Sequence, residues 1–203
     1  MFKKAIVVAL MALIAILVFR TFSSEESVEA YNARIESTRV EKNEFMRDSD
    51  QSPFAHNREA FEELKYYPAN LKYKVKAKIE RFESRSYTDL AVSTGESEKY
   101  LKYAYASFEI EGQPLRLLLL KKLGSKTGTI FTAFADNTSG NETYGSGRYL
   151  DLEFKNAKSI EIDFNLAYNP YCVYDDKFSC PFPPKENILP IHIEAGEKLY
   201  HEY

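Results

Sequence analysis

The residue types best suited to chemistry concentrate in one polar block, Phe134-Ala-Asp-Asn-Thr-Ser-Gly-Asn-Glu-Thr-Tyr-Gly-Ser-Gly-Arg148-Tyr-Leu150. It leads into Asp163-Phe-Asn-Leu-Ala-Tyr-Asn-Pro170 and then to the only cysteines, Cys172 and Cys180. Carboxylates, amides, hydroxyls and one arginine in such density either build a site or brace difficult turns. As a site, the candidate ligand-binding residues are Asp136, Ser139, Glu142, Tyr144, Arg148, Asp163, Asn165, Tyr168 and Asn169.

Each candidate carries a second meaning. Gly145-Ser-Gly147-Arg148 can offer backbone N–H groups and a guanidinium to a carboxylate or phosphate, since the arginine fork matches both anions. Equally, Arg148 can pair internally with Asp136, Glu142 or Asp163. Those three carboxylates could instead include an acid and base pair for glycoside or ester hydrolysis, which needs two carboxyls in different environments. Asn165, Tyr168, Asn169 and Tyr171 suit a saccharide or peptide site, or the asparagines satisfy the backbone of a buried proline-rich connection.

Several chemistries fail on spacing. Asp136, Thr138, Gly140 and Glu142 alternate as in a calcium loop, but Gly140 has no side-chain oxygen and Gly147 stands where an acid is required, so Asx turns fit better. Ser139 lacks the Gly-x-Ser-x-Gly frame, and Lys126-Thr-Gly128 has no Ser-x-x-Lys to accompany it. His192, between Ile191 and Ile193, falls on the polar face of an alternating segment, and His56 and His201 have no catalytic context. No metal or cofactor is expected. Asn137-Thr-Ser139 and Asn141-Glu-Thr143 match the glycosylation acceptor, which matters only in a source that uses it.

Seven residues separate Cys172 from Cys180, among Pro170, Pro181, Pro183 and Pro184. In an oxidising compartment such a pair is expected as a disulfide. Two thiols alone make a poor zinc site, and the C-x-x-C redox spacing is absent.

The compartment is set by the leader. Lys3 and Lys4 precede fifteen uninterrupted apolar residues, Ala5 to Phe19, and then Arg20. That core is short against a hydrocarbon layer of about 30 Å, so a span would recruit Phe22 and let Arg20 snorkel. No Ala-x-Ala cleavage site follows, and residues 1–22 are therefore expected to remain as a signal anchor. The lysines keep the N-terminus in the cytoplasm and place the rest outside, periplasmic or at the cell surface. The whole chain has a formal charge of −3, and without the cationic leader it is more acidic still. With no basic run, nucleic acid is not an expected partner, and the membrane is contacted through residues 1–22.

The elements that position the polar block follow from periodicity. Glu26 to Asp48 is free of Gly and Pro and carries a thin apolar stripe of Val28, Tyr31, Ile35, Phe45 and Met46, which predicts a helix. Ser52-Pro53 predicts a second, short helix over His56 to Tyr66. Leu71 to Ile79 alternates strictly, with lysines on the wet face, and reads as a strand. Further strands are predicted at Tyr87–Val92, Lys102–Ile110, Leu115–Leu123, Thr129–Phe134, Arg148–Phe154, Ser159–Phe164 and Ile188–Ile193. Gly112-Gln-Pro114 reads as a hairpin turn, and Leu117 to Leu120, apolar on both faces, predicts a central strand.

The runs Phe134 to Leu150, Asp163 to Cys172, Cys180-Pro-x-Pro-Pro-x-Glu-Asn187 and Ala195-Gly-Glu-Lys198 resemble the bacterial and archaeal family called domain of unknown function 1684. Weaker matches at Ser52-Pro53-Phe54, Phe61, Leu64 and Tyr67-Pro68 extend the likeness over most of the chain. The resemblance implies no activity and carries over no catalytic residue.

The expected architecture is mainly β, an antiparallel β-sandwich or partly open barrel with one or two N-terminal helices, preceded by a membrane-anchor helix. Its parts are the anchor (1–22), a helical segment packed on the domain (23–68) and the β domain (69–203), with 23–203 one folding unit. The expected role is binding of a small polar or anionic ligand outside the membrane. The alternatives are a hydrolase using Asp136, Glu142 or Asp163 with Arg148, and a structural envelope protein without a pocket.

Overall fold

The computed structural model describes residues 26–124, 129–153 and 158–201. The anchor expected over residues 1–22 lies outside the described residues, and among them no helix is long and apolar enough to cross a membrane. Two compact units divide the chain, Met1–Arg34 and Ile35–Tyr203. Within the first, Arg34 pairs with Glu26 at 2.9 Å and lies over the Tyr31 ring.

The predicted long helix forms as α1, Val28–Asp48. In the second unit its residues Ile35, Arg39, Lys42 and Met46 recur every three to four positions and so share one face. Ile35 and Met46 are fully buried, while Arg39 donates to the Tyr67 carbonyl at 2.8 Å and Asn43 accepts from the Leu64 N–H at 2.9 Å. Ser52 turns the chain after α1 by bonding the Met46 carbonyl and the Phe54 N–H.

The second predicted helix, His56–Tyr66, does not form; only a 3-10 turn at Arg58–Ala60 does. The physical reason is that its amides find tertiary acceptors. Glu62 donates to the Tyr200 hydroxyl, Leu64 to Asn43, and Tyr66 bridges Glu197, so the segment runs extended.

Six strands follow: β1 (Lys74–Ala91), β2 (Ser97–Ile110), β3 (Gln113–Lys122), β4 (Ile130–Phe134), β5 (Arg148–Leu152) and β6 (Ser159–Asp163). They form one antiparallel sheet in the order β5-β4-β3-β2-β1-β6. The first two predicted strands are a single long one, because β1 continues its ladder with β2 across an irregularity between Arg81 and Ser86. The last predicted strand, Ile188–Ile193, is a strap with one bridge from Ile188 to Ala135. Pro190 lacks an N–H in the middle of it, and the Ile193 N–H is taken by the Asp136 carboxylate.

The fold is therefore mainly β, a six-stranded antiparallel half-barrel with one helix; no second sheet of a sandwich occurs among the described residues. Edge strands β5 and β6 approach each other as the sheet curls. The chain after β6 crosses to β5, where Tyr149 and Tyr168 exchange backbone bonds of 2.8 and 3.1 Å. The hairpin turn between β2 and β3 lies at Glu111-Gly112, both at positive φ, as a two-residue turn requires.

Strand β3 is central as predicted, with Leu117, Leu118, Leu119 and Leu120 all fully buried. Alternation sends Leu117 and Leu119 to the concave face, with Ala104, Phe108, Ile130, Leu150, Ile162 and Phe164. Leu118 and Leu120 go to the convex face, beside Tyr100, Phe131 and Leu90. Both faces are thus covered, and the convex face is where a cleft opens.

Candidate functional site

The polar block is the β4–β5 loop, and most of its chemistry is directed inward. Arg148 begins β5 on the concave face and is completely buried. Its Nη2 donates to Asp136 Oδ2 at 2.8 Å and to the Ile193 carbonyl at 2.9 Å, and its Nη1 donates to the carbonyls of Ala195 and Glu197. The other Asp136 oxygen accepts from the Thr138 N–H and hydroxyl and from the Ile193 N–H. A guanidinium and a carboxylate, both desolvated, thereby tie the Ile193–Glu197 strap to β4 and β5. Of the two meanings weighed for Arg148, this is the internal pair.

Other candidates brace as well. Gly147 has φ +86°, and a Cβ there would stand 2.3 Å from the Phe134 carbonyl oxygen, so only glycine admits this loop closure. Ser139 Oγ accepts from the Asp136 N–H at 3.2 Å. Asp163 caps the turn Phe164–Leu166 through the Asn165 N–H, and Asn165 doubly bonds the Asn70 backbone. Asn169 donates its backbone N–H to Glu197 Oε2 and its amide to the Lys198 carbonyl. Glu142 is exposed, as are His56, His192 and His201. Asp163 ends β6 and Arg148 begins β5, as expected, yet these strands lie at opposite edges of the sheet and not in a hairpin. Asp136 is engaged by Arg148, and Asp163 by the turn that it caps, so each of these two carboxylates is held in its own hydrogen-bond network.

Two braces escaped the sequence reading. Asn187, fully buried, accepts from the Leu118 N–H at 2.6 Å and donates to the carbonyls of Leu118 and Ala133 and to Thr132 Oγ1. Glu197, 1% exposed, faces Lys42 Nζ at 2.7 Å and accepts from the Asn169 N–H and the Tyr174 hydroxyl. The only signal for either was its place in the Cys180–Asn187 and Ala195–Lys198 runs.

Of the residues weighed for a site, Tyr168 and Tyr171 line an aromatic cleft. This cleft, about 590 Å³, lies on the convex face, between the sheet, Lys42 and Phe45 of α1, and the segment Tyr171–Pro181. Its floor is a row of rings in contact: Tyr100 with Phe131 at 5.9 Å, Phe131 with Tyr149 at 4.8 Å, Tyr149 with Tyr168 at 5.9 Å. A cation stands at each end of the row. Lys42 Nζ lies 4.3 Å above the Tyr168 ring, and Lys122 reaches Glu98 at 2.9 Å, the same carboxylate that accepts from the Tyr100 hydroxyl. Asp151 accepts from the Tyr168 hydroxyl at 2.8 Å, and the Tyr149 hydroxyl donates to the Pro181 carbonyl at 2.6 Å.

Burial raises the hydroxyls of Tyr100, Tyr149 and Tyr168 well above the ordinary phenol value, with Glu98 raising Tyr100 further, Cys180 Tyr149 and Asp151 Tyr168. The rings are therefore neutral donors with apolar faces at physiological pH. Strand parity was the overlooked signal. Phe131 on β4 and Tyr149 on β5 point opposite to Ile130 and Leu150, and the two-faced apolar run of β3 already said that something covers that side.

Cys172 and Cys180 are neighbours beside this cleft, and both are free thiols, so the expected disulfide is not formed in this structure. The Cys172 N–H donates to Cys180 Sγ at 3.2 Å. Packing and not a covalent bond holds this loop: Tyr171 meets Phe178 edge-on at 5.3 Å. Among the described residues no group of three or more His, Cys, Asp or Glu is placed to hold a metal ion.

Residues 59–198 match the family model described as "Protein of unknown function (DUF1684)". The chain belongs to this family. It is also similar to an uncharacterised protein of Haloarcula marismortui solved by solution NMR, at 34% identity and a TM-score of 0.67, covering 88% of this chain and 100% of that one. A comparison with curated proteins gives no match. The matched region spans every described strand and the straps that Arg148, Asn187 and Glu197 hold. Phe45 and Lys42, which complete the cleft, precede it.

Proposed function

We propose that this DUF1684 protein binds a small ligand with a flat apolar body and an anionic group in the aromatic cleft. The observation that carries the proposal is the row Tyr100–Phe131–Tyr149–Tyr168 with a lysine at each end. Neutral rings offer stacking and edge contacts to a planar group, worth about 0.5–1.5 kcal/mol per pair beyond area burial. Lys122, more than half exposed, retains much of its charge for a second anion beside Glu98. Lys42 is held by Glu197 and Tyr168, which fixes its position over the end ring. A concave, mostly apolar volume of several hundred Å³ with a few placed polar groups is the usual form of a small-molecule site.

The ligand then lies away from Asp136, Asn165 and the Arg148 fork, whose two terminal nitrogens already have protein partners. It keeps the anionic character first inferred for it and adds a flat apolar portion. The location follows from the leader: residues 1–22 anchor the chain in the cytoplasmic membrane and the binding domain lies outside it. Alkaline washing of membranes should leave the protein in the pellet, and a mature N-terminus at Ser23 or Ser24 would refute the anchor.

The binding test uses 2-naphthoate and its neutral analogue 2-naphthamide as probes, read by naphthyl fluorescence in a chain that has no Trp. Saturable binding of 2-naphthoate, weakened about tenfold or more in Lys122→Met, supports the reading. Equal binding of acid and amide would remove the anionic group from it, and no saturable binding of either would overturn it.

A further inference from the structure

We propose that Cys172 and Cys180 form a thiol–disulfide exchange centre in the wall of the cleft, with Cys172 the attacking sulfur and Cys180 the resolving one. This chemistry does not depend on what the cleft binds. It follows from how the two sulfurs are held. Cys180 is 5% exposed and its backbone is fixed by a reciprocal pair, Ser93 N–H to the Cys180 carbonyl at 3.0 Å and Cys180 N–H to Ser93 Oγ at 3.1 Å. Cys172 sits on the short turn Tyr171–Val173 and is only half-buried. Its own N–H donates to Cys180 Sγ at 3.2 Å, and the two side chains are within hydrogen-bonding reach of each other. An attacking thiol needs access and a resolving thiol needs proximity; the pair divides these two requirements between an accessible sulfur and an anchored one.

The surroundings favour charge on the accessible sulfur. The hydrogen bond from the Cys180 thiol outweighs burial and, with the Ser93 and Tyr144 hydroxyls and the backbone, draws Cys172 down to about 7. Cys180 is pushed up, first by the Cys172 sulfur beside it and then by burial. Tyr144 thereby acquires a role that its place in the polar block did not suggest.

The co-reactant is a low-molecular-weight disulfide. The Cys172 thiolate attacks one of its sulfurs, forming a mixed disulfide and expelling one thiolate, which takes a proton from water. Cys180 then gives up its proton and attacks the Cys172 sulfur, forming the intramolecular disulfide and expelling the second thiolate. The chain loses two electrons and two protons, and the incoming disulfide is reduced to two thiols. Closure joins the Tyr171–Val173 turn directly to Cys180, a cleft-lining residue.

Oxidised glutathione is the probe, with acid quenching, alkylation and mass analysis. The reduced full chain should end with both cysteines protected from alkylation and no glutathione retained. Cys180→Ser should accumulate glutathione on Cys172, and Cys172→Ser should react at least about tenfold more slowly than the parent. In the unmutated protein, the rate of iodoacetamide attack on Cys172 should rise with a midpoint near 7, below the roughly 8.5 of a free cysteine. This last measurement decides the matter even where a serine variant folds poorly. A midpoint at or above the free value, retained glutathione in the parent, or attack first at Cys180 would overturn the assignment.

Discussion

Arg148 is the residue on which the loop, the strap and two strands converge. Truncation to Ala should cost roughly 3–5 kcal/mol in urea unfolding, because it breaks a fully buried ion pair and leaves Asp136 without its partner. Lys should restore only part, since one ammonium cannot span Asp136 and the carbonyls of Ile193, Ala195 and Glu197 as the fork does. A loss below about 1 kcal/mol, combined with loss of 2-naphthoate binding, would return Arg148 to the site. The nearness of Arg148 and Asp136 was legible, since both flank one loop; the brace was not, because the carbonyls come from a strap far along the chain. Asn187→Ala strands the Leu118 N–H, removes a side-chain donor from the Ala133 C=O and leaves the Leu118 C=O the Thr132 hydroxyl, at about 1–3 kcal/mol for each group left unsatisfied where water does not reach. No local pattern in Lys185–Asn187 announces that role.

At the scale of elements, periodicity located most strands and failed where tertiary acceptors decide. The β2–β3 hairpin, the central position of β3 and the helix α1 follow from turn residues and apolar spacing. His56–Tyr66 has a helix start signal, yet Tyr200, Asn43 and Glu197 draw its backbone out straight. Ile188–Ile193 has the alternation of a strand and is held as a strap by Asp136 and Asn187 instead. The second-unit part of α1 is seated by Met46, fully buried against Phe54, Leu64 and Tyr200. Met46→Ala should therefore cost about 2–5 kcal/mol, whereas Val40→Ala on the exposed side of the same helix should stay within about 0.5 kcal/mol. Equal losses at the two positions, read from urea midpoints, would mean that α1 is not docked through this face.

Over the whole molecule, the half-barrel has one face sealed by its own side chains and the other left with an aromatic cleft. The polar block is conspicuous by composition, whereas the cleft is built from ordinary aromatic residues brought together by parity and by a proline-rich cover, which is why it was not legible in the sequence. The tyrosines supply a pH test. Tyr66, Tyr100, Tyr149, Tyr168 and Tyr174 are raised above the ordinary value of 10.0, chiefly by burial. Their protonated form is favoured in the folded state, so stability is intact below pH 10 and declines above it, as the unfolded chain ionises first. Tyrosinate absorbance should rise near pH 10 for exposed rings and complete only with unfolding; smooth titration of all the tyrosines near pH 10 in a folded chain would show that the row is open to water.

Whether the ring row is a binding site is read by an amide and aromatic NMR titration with 2-naphthoate. The expected result is saturable shifts confined to Tyr100, Phe131, Tyr149, Tyr168, Tyr171 and Phe178 and their strand neighbours, lost in Phe131→Leu while the remaining spectrum is kept. Shifts centred on Asp136 to Arg148, or shifts scattered over the surface without saturation, would contradict it.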